Sequence, residues 1–189
     1  MARARRFAYY DRLSAKDKAT YRASDAIPDV PLPDVAALQA LVHHVDTALS
    51  TGKRVRVAKA VTALIGALLG QLGAPPLKVH VREVRPDLED AELHGLYTFA
   101  VGDQPPRLEV WMRTRALAKV VKLRTFIRTV IHEVLHHLDV TVFALEDSFH
   151  TEGFFRRESS VVRALFGEAK RPAPRRLQKS TQMGLFDES

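Results

Sequence analysis

Apolar residues recur at every third or fourth position through much of this chain, a period that predicts helices. Val35, Leu38, Leu41, Val42, Val45 and Leu49 share one face of a segment opened by Asp34, an N-cap residue type that follows Pro33. Thr51-Gly52 ends that segment. A second helical run extends from about Arg54 to Leu72, where Gly73-Ala74-Pro75-Pro76 stops it. Upstream, residues 7–24 read as a polar helix with Phe7, Tyr9, Tyr10 and Tyr21 as aromatic anchors, and the three prolines between Ile27 and Pro33 predict extended chain.

The period then switches to two. Leu77, Val79 and Val81 alternate, and a further strand run covers Leu93 to Val101. The turn Gly102-Asp103-Gln104-Pro105-Pro106 follows, and Arg107 to Met112 alternates again. After Thr114 the spacing is helical up to about Leu138, with Val120, Ile127, Ile131, Val134 and Leu138 as the core stripe. A loop and a last helix, about Thr151 to Phe166, complete the periodic part, and there are no internal repeats.

Charge changes this picture only at the ends. The net charge is +7 over 189 residues, but residues 1–6 carry +3 and residues 170–189 carry +3, which leaves +1 for residues 7–169. The 46% apolar content is that of a globular chain. There is no cysteine, which excludes a disulfide scaffold, a zinc ribbon and a thiol nucleophile. The most apolar run, Ala60 to Leu72, is too short to span a bilayer, and MARARRF has no apolar core behind it that would make a secretory signal. No membrane partner and a cytoplasmic location are expected.

The chemistry concentrates in His132-Glu133-Val134-Leu135-His136. On a helix, His132 and His136 stand one turn apart on one face, so both imidazoles reach one ion. Glu133, one step round, is set to take a proton from a water rather than to bind the ion. A catalytic zinc takes three protein ligands and keeps one position open. Asp139, Glu146, Asp147, His150, Glu152 and Glu158 are the candidates for the third. His150 is preferred, because it sits at the mouth of the last helix and a helical hairpin would swing it back onto the pair. Glu158, two turns beyond His150, is the fallback ligand or a partner of a ligand. Asp139 lies on the stripe of the two histidines and is expected to accept an imidazole N–H rather than to bind metal. His137 reads as a partly exposed surface histidine. His94 would flank the cleft if its strand run packs there.

HEVLHHLD…DSFHTEGFF resembles the SprT-like zinc metalloproteases, a family that includes Spartan-type DNA–protein crosslink proteases. His132, Glu133 and His136 match its first motif. His150 and Phe154 match the His and Phe of its second, in which Thr151 replaces the usual glycine, and the family's frequent cysteine ribbon is absent. The resemblance covers about residues 77–166, and its sharp motifs span only 132–154. It implies an α+β chain: a zincin-like single domain over residues 1–169, with N-terminal helices, a small mostly antiparallel sheet and an active-site helix. It also implies Zn2+ and peptide-bond hydrolysis, with an edge strand, Leu93–Val101 or Arg107–Met112, holding an extended protein substrate.

Residues 170–189 lack periodicity and are rich in Pro, Arg and Lys, which predicts a disordered basic tail. Within it, Gln182, Met183, Leu185 and Phe186 resemble the short motif that binds the bacterial DNA polymerase sliding clamp. An apolar anchor on a mobile linker suits such docking, and the enzyme would then be nucleoid-associated. The basic stretch Arg113, Arg115, Lys119, Lys122, Arg124 and Arg128 and the smaller cluster Lys53, Arg54, Arg56 and Lys59 offer a weak DNA contact. Two other readings remain open: a clamp-associated DNA-binding factor with a structural or vestigial metal site, and a regulatory metalloprotease that cleaves one repressor.

Overall fold

A computed structural model describes residues 7–88 and 91–168. The first run breaks where a single helix was expected. Ala8–Arg12 is a 3-10 turn, and Ser14 then caps α1 (Ala15–Ala26) by accepting the Asp17 N–H at 3.1 Å. A side chain that satisfies an orphan amide fixes the start of a helix more firmly than the continuing period does. Asp34 caps α2 (Val35–Ser50) through the Ala37 N–H, and α3 (Arg54–Gln71) follows, both close to the predicted limits.

β1 (Lys78–Val84) pairs parallel with β5 (Arg107–Arg113), and β4 (Gly95–Thr98) pairs antiparallel with β5 on its other side. Two short strands, β2 (Asp87–Leu88) and β3 (Ala91–Glu92), pair antiparallel with each other. The three-stranded sheet is thus mixed. β5 is its centre, where Val110 stands between Val81 and Gly95. Leu108, Val110 and Met112, alternate residues of β5, are fully buried beneath the helices. Of the two strands considered for an extended partner, β5 is therefore paired on both sides, and β4 is an edge strand among the described residues.

The helix expected from Thr114 starts later, at α4 (Leu123–Thr141). Residues 114–122 instead turn back on the sheet: Thr114 N–H donates to Lys119 O at 2.8 Å and Val121 N–H to Met112 O at 2.9 Å. Ladder hydrogen bonds to the end of β5 outweigh the helical spacing there. α4 is packed between the sheet, α2 and α5 (Glu152–Leu165). It buries not one stripe but ten residues, including Glu133, His137 and Asp139. Phe154, Val161, Val162 and Leu165 join α5 to the same core. No helix among the described residues is long and apolar enough to cross a membrane. The sequence expectations for Gln182, Met183, Leu185 and Phe186 lie outside the described residues.

Candidate metal centre

α4 presents His132 and His136 one turn apart, and the loop between α4 and α5 brings His150 to them. His150 Nε2 lies 2.9 Å from His132 Nε2 and 3.1 Å from His136 Nε2. Phe154, fully buried in the first turn of α5, supports all three rings, with centroid distances of 5.0, 4.8 and 5.3 Å to His132, His136 and His150. Thr151 makes that turn possible. Its hydroxyl accepts the Phe154 N–H at 3.0 Å as the N-cap. Gly153 is needed because a Cβ there would lie 2.7 Å from backbone atoms of Ser24 and Asp25.

The outer ring nitrogens decide what the inner ones can do. His132 Nδ1 is 2.9 Å from Glu158 Oε2, so it carries the proton and donates to the carboxylate. Ser148 Oγ donates to Asp139 Oδ2 at 2.8 Å, which leaves its lone pair to accept from His136 Nδ1 at 2.7 Å. With both Nδ1 atoms protonated, the Nε2 atoms of His132 and His136 carry lone pairs turned toward a common point. Burial, together with His132 and His150, pushes the His136 ring down to about 3, so it stays neutral and available. Burial also lowers His150, and His132 adds to the effect.

Converging lone pairs repel unless a cation lies between them. Zinc–nitrogen bonds of about 2.0–2.1 Å put tetrahedral ligand atoms about 3.3 Å apart, close to the spacing found here. The ligand atoms of His132, His136 and His150 all lie within 4.8 Å of one another. Three imidazoles and no thiolate suit zinc with one position left open. The residues present therefore fit that ion.

Glu133 stands beside the cluster, 7% exposed. Burial raises its pKa, while His132 and the Tyr97 backbone N–H pull it back down. Its carboxylate approaches the chain so closely that a Cβ on Gly95 would come within 2.6 Å of Glu133 Oε1. The absence of a side chain at Gly95 thus makes room for Glu133. An open cleft of about 400 Å³ runs past these groups, lined by His94, Gly95, Thr125, Arg128, Thr129, His132, Glu133, Phe155 and Glu158.

Of the residues singled out from the sequence, His132, His136 and His150 come together at one cluster, and His132 and Glu133 line the cleft. Glu158 meets the outer nitrogen of His132 and also pairs with Arg128 at 3.3 Å. Asp139 reaches His136 through Ser148 rather than directly. His137 departs from expectation. It is fully buried, donating from Nε2 to Pro75 O at 2.9 Å and accepting the Tyr97 hydroxyl on Nδ1 at 3.1 Å, because α4 is covered on that side too. Ser148, Gly95, Tyr97 and Arg157 escaped the sequence reading. Arg157 alone had a signal: with Phe154, Glu158 and Val161 it falls on the apolar stripe of α5, where a charged residue demands a buried partner. Its partner is Asp139, at 2.8 Å with both side chains fully buried.

His132-Glu133-x-x-His136 on a helix with His150 as a third nitrogen donor is a zincin-type architecture on an α+β fold. No family model, curated protein or solved structure matches the chain.

Proposed function

We propose that this chain is a zinc-dependent peptidase of the SprT-like type that acts on protein close to DNA. The observation that carries the reading is the meeting of three inward imidazole nitrogens, with the buried Glu133 beside them and an open cleft lined by Glu133 and His132. His132, His136 and His150 would hold the metal, which when bound acidifies a water and polarises a carbonyl. Glu133 is the general base: its buried carboxylate, with a raised pKa, accepts the proton of the attacking water and returns it to the leaving amine. Glu158 and Ser148 hold the two helix imidazoles in the tautomer that keeps Nε2 unprotonated. The outer edge of β4 would hold an extended substrate by strand addition, with Gly95 next to Glu133.

The proposed location near DNA has two supports. The first is a basic surface. Arg113 Nη2 donates to Gly52 O and Nη1 to Ala118 O, each at 3.0 Å, which brings the turn before Lys53 and Arg54 next to the loop bearing Arg115 and Lys119. No acidic residue occurs in 47–82 or in 110–132, and Glu83, an acid paired with this surface, lies 3.7 Å from Arg54 and 3.2 Å from Arg113. α3 and α4 both begin in these stretches, with no side-chain cap and no acid in the first turn, whereas Ser14, Asp34 and Thr151 cap the other α-helices. Uncapped amides beside Lys and Arg suit phosphates. The second support is the pattern Gln182, Met183, Leu185 and Phe186, read as a tether to the sliding clamp. Cytoplasmic residence is part of the same proposal.

Zinc content and cleavage of casein or of a DNA–protein crosslink, compared between wild type and Glu133→Gln, test the mechanism. The variant is expected to keep its zinc and lose about 10²–10⁴-fold in rate. Equal rates would overturn it. Clamp capture by the full chain but not by a chain ending at Lys179 tests the tether.

A further inference from the structure

The loop between α4 and α5 touches the histidine cluster twice. Its His150 supplies the third inward nitrogen, and its Ser148, two residues earlier, lies on the outer nitrogen of His136. From Ser148 a buried chain of polar groups leads away from the site. Ser148 Oγ donates to Asp139 Oδ2 at 2.8 Å, and Arg157 Nη2 donates to Asp139 Oδ1 at 2.8 Å. Arg157 also donates to Ser24 O at 2.6 Å and Ser24 Oγ at 3.1 Å, in the last turn of α1. Ser24 Oγ in turn lies 3.2 Å from Thr151 Oγ1, the cap of α5 that directly follows His150. The chain therefore starts and ends on the same loop.

We infer that Ser148 is a positioning residue that couples delivery of His150 to the tautomer of His136, with Asp139, Arg157 and Ser24 as its anchor. The inference rests on the metal reading above. A serine hydroxyl has one proton and accepts through its lone pairs. Asp139, paired with Arg157, accepts the hydrogen bond of that hydroxyl, so only a lone pair remains for His136. His136 Nδ1 must then donate, and its Nε2 is left bare toward the cluster. When the loop is in place, one segment inserts the third nitrogen and sets the second. When it is displaced, His136 loses the acceptor that selects this tautomer while its ring stays on α4. Two further contacts hold the loop down. Tyr9 Oη donates to His150 O at 2.8 Å. Gly153 N–H donates to Asp25 Oδ1 at 2.7 Å. The N-terminal segment thus belongs to the support of the site.

The experiment measures zinc affinity by competition with a chelator, the visible spectrum of the Co2+-substituted protein and the melting of the metal-free chain, for wild type, Ser148→Ala and Ser148→Thr. Ser148→Ala is expected to bind zinc about 10–100-fold more weakly and to shift the cobalt bands, with unchanged melting of the metal-free chain. Ser148→Thr, which keeps the hydroxyl, is expected to restore both metal readouts. Wild-type affinity and spectrum in Ser148→Ala would overturn the inference. So would a loss that tracks a fall in metal-free melting and is not rescued by threonine. A wild type that takes up no zinc would overturn the metal reading itself, which separates the two failures.

Discussion

Two of the three converging imidazoles stand on α4 and one stands on a loop, and the two halves are held by different physics. His132 and His136 are neighbours because a helix repeats every 3.6 residues, so their spacing survives anything that leaves α4 intact. His150 is a neighbour only through tertiary contacts: the Thr151 cap, the Phe154 ring, Tyr9 on its carbonyl and the polar chain from Ser148 to Ser24. A local pair and a tertiary partner should therefore fail differently.

The largest expected difference lies in the ligands themselves. His136→Ala breaks the preorganised pair and is expected to abolish measurable zinc binding by calorimetry, a loss of more than ~100-fold, since loss of a supporting partner alone reaches 10–100-fold. His150→Ala keeps the pair and should retain weak, detectable binding. Equal loss in both would remove the distinction between helix and loop. A smaller effect is expected on the helix half alone from Gly95→Ala. The added methyl would meet Glu133 Oε1 and Cγ at 2.6 and 2.7 Å, so the carboxylate must move. Under the proposed function, the rate of peptide hydrolysis should fall by about 10²-fold with zinc content unchanged, because no histidine is touched.

The smallest effect is one of protonation. Burial, with His132 and His150 beside it, pushes the His136 ring down to about 3 in the folded chain, against 6.5 for an ordinary histidine. Between those values the unfolded chain binds a proton that the folded chain does not. The contribution of His136 to stability is therefore complete above 6.5 and is lost as pH falls from 6.5 toward 3. In the metal-free protein, the His136 ring signal in NMR should remain that of neutral imidazole at pH 5. A titration near 6.5 would show that the ring is not held as described.

The same division explains what could be read from the sequence. α2, α3 and α5 follow from period and punctuation because Asp34, Gly52, Gly73 and Thr151 act within a few residues of where they stand. The pair on α4 was legible for that reason, and Glu133 with it. The start of α4 was not, because hydrogen bonds from 114–121 to the end of β5 and within the loop override a helical spacing. His137 misled because an amphipathic stripe implies one buried face, and α4 is enclosed on more than one. Ser148 had no signal at all: a loop serine matters only through the three elements that meet around it. Gly95 is similar, since its role appears only when β4 lies against α4 and the glutamate fills the missing side chain's place.

Three histidines from a helix and a loop converge closely enough to hold one zinc ion. The most direct measurement is a crystal structure of the zinc-loaded protein with anomalous maps at the zinc edge. The result expected is one ion per chain, bonded to Nε2 of His132, His136 and His150 at about 2.0–2.1 Å, with Glu158 still on His132 Nδ1. An ion bound by Glu158 in place of His150, or no ion at this cluster, would contradict it.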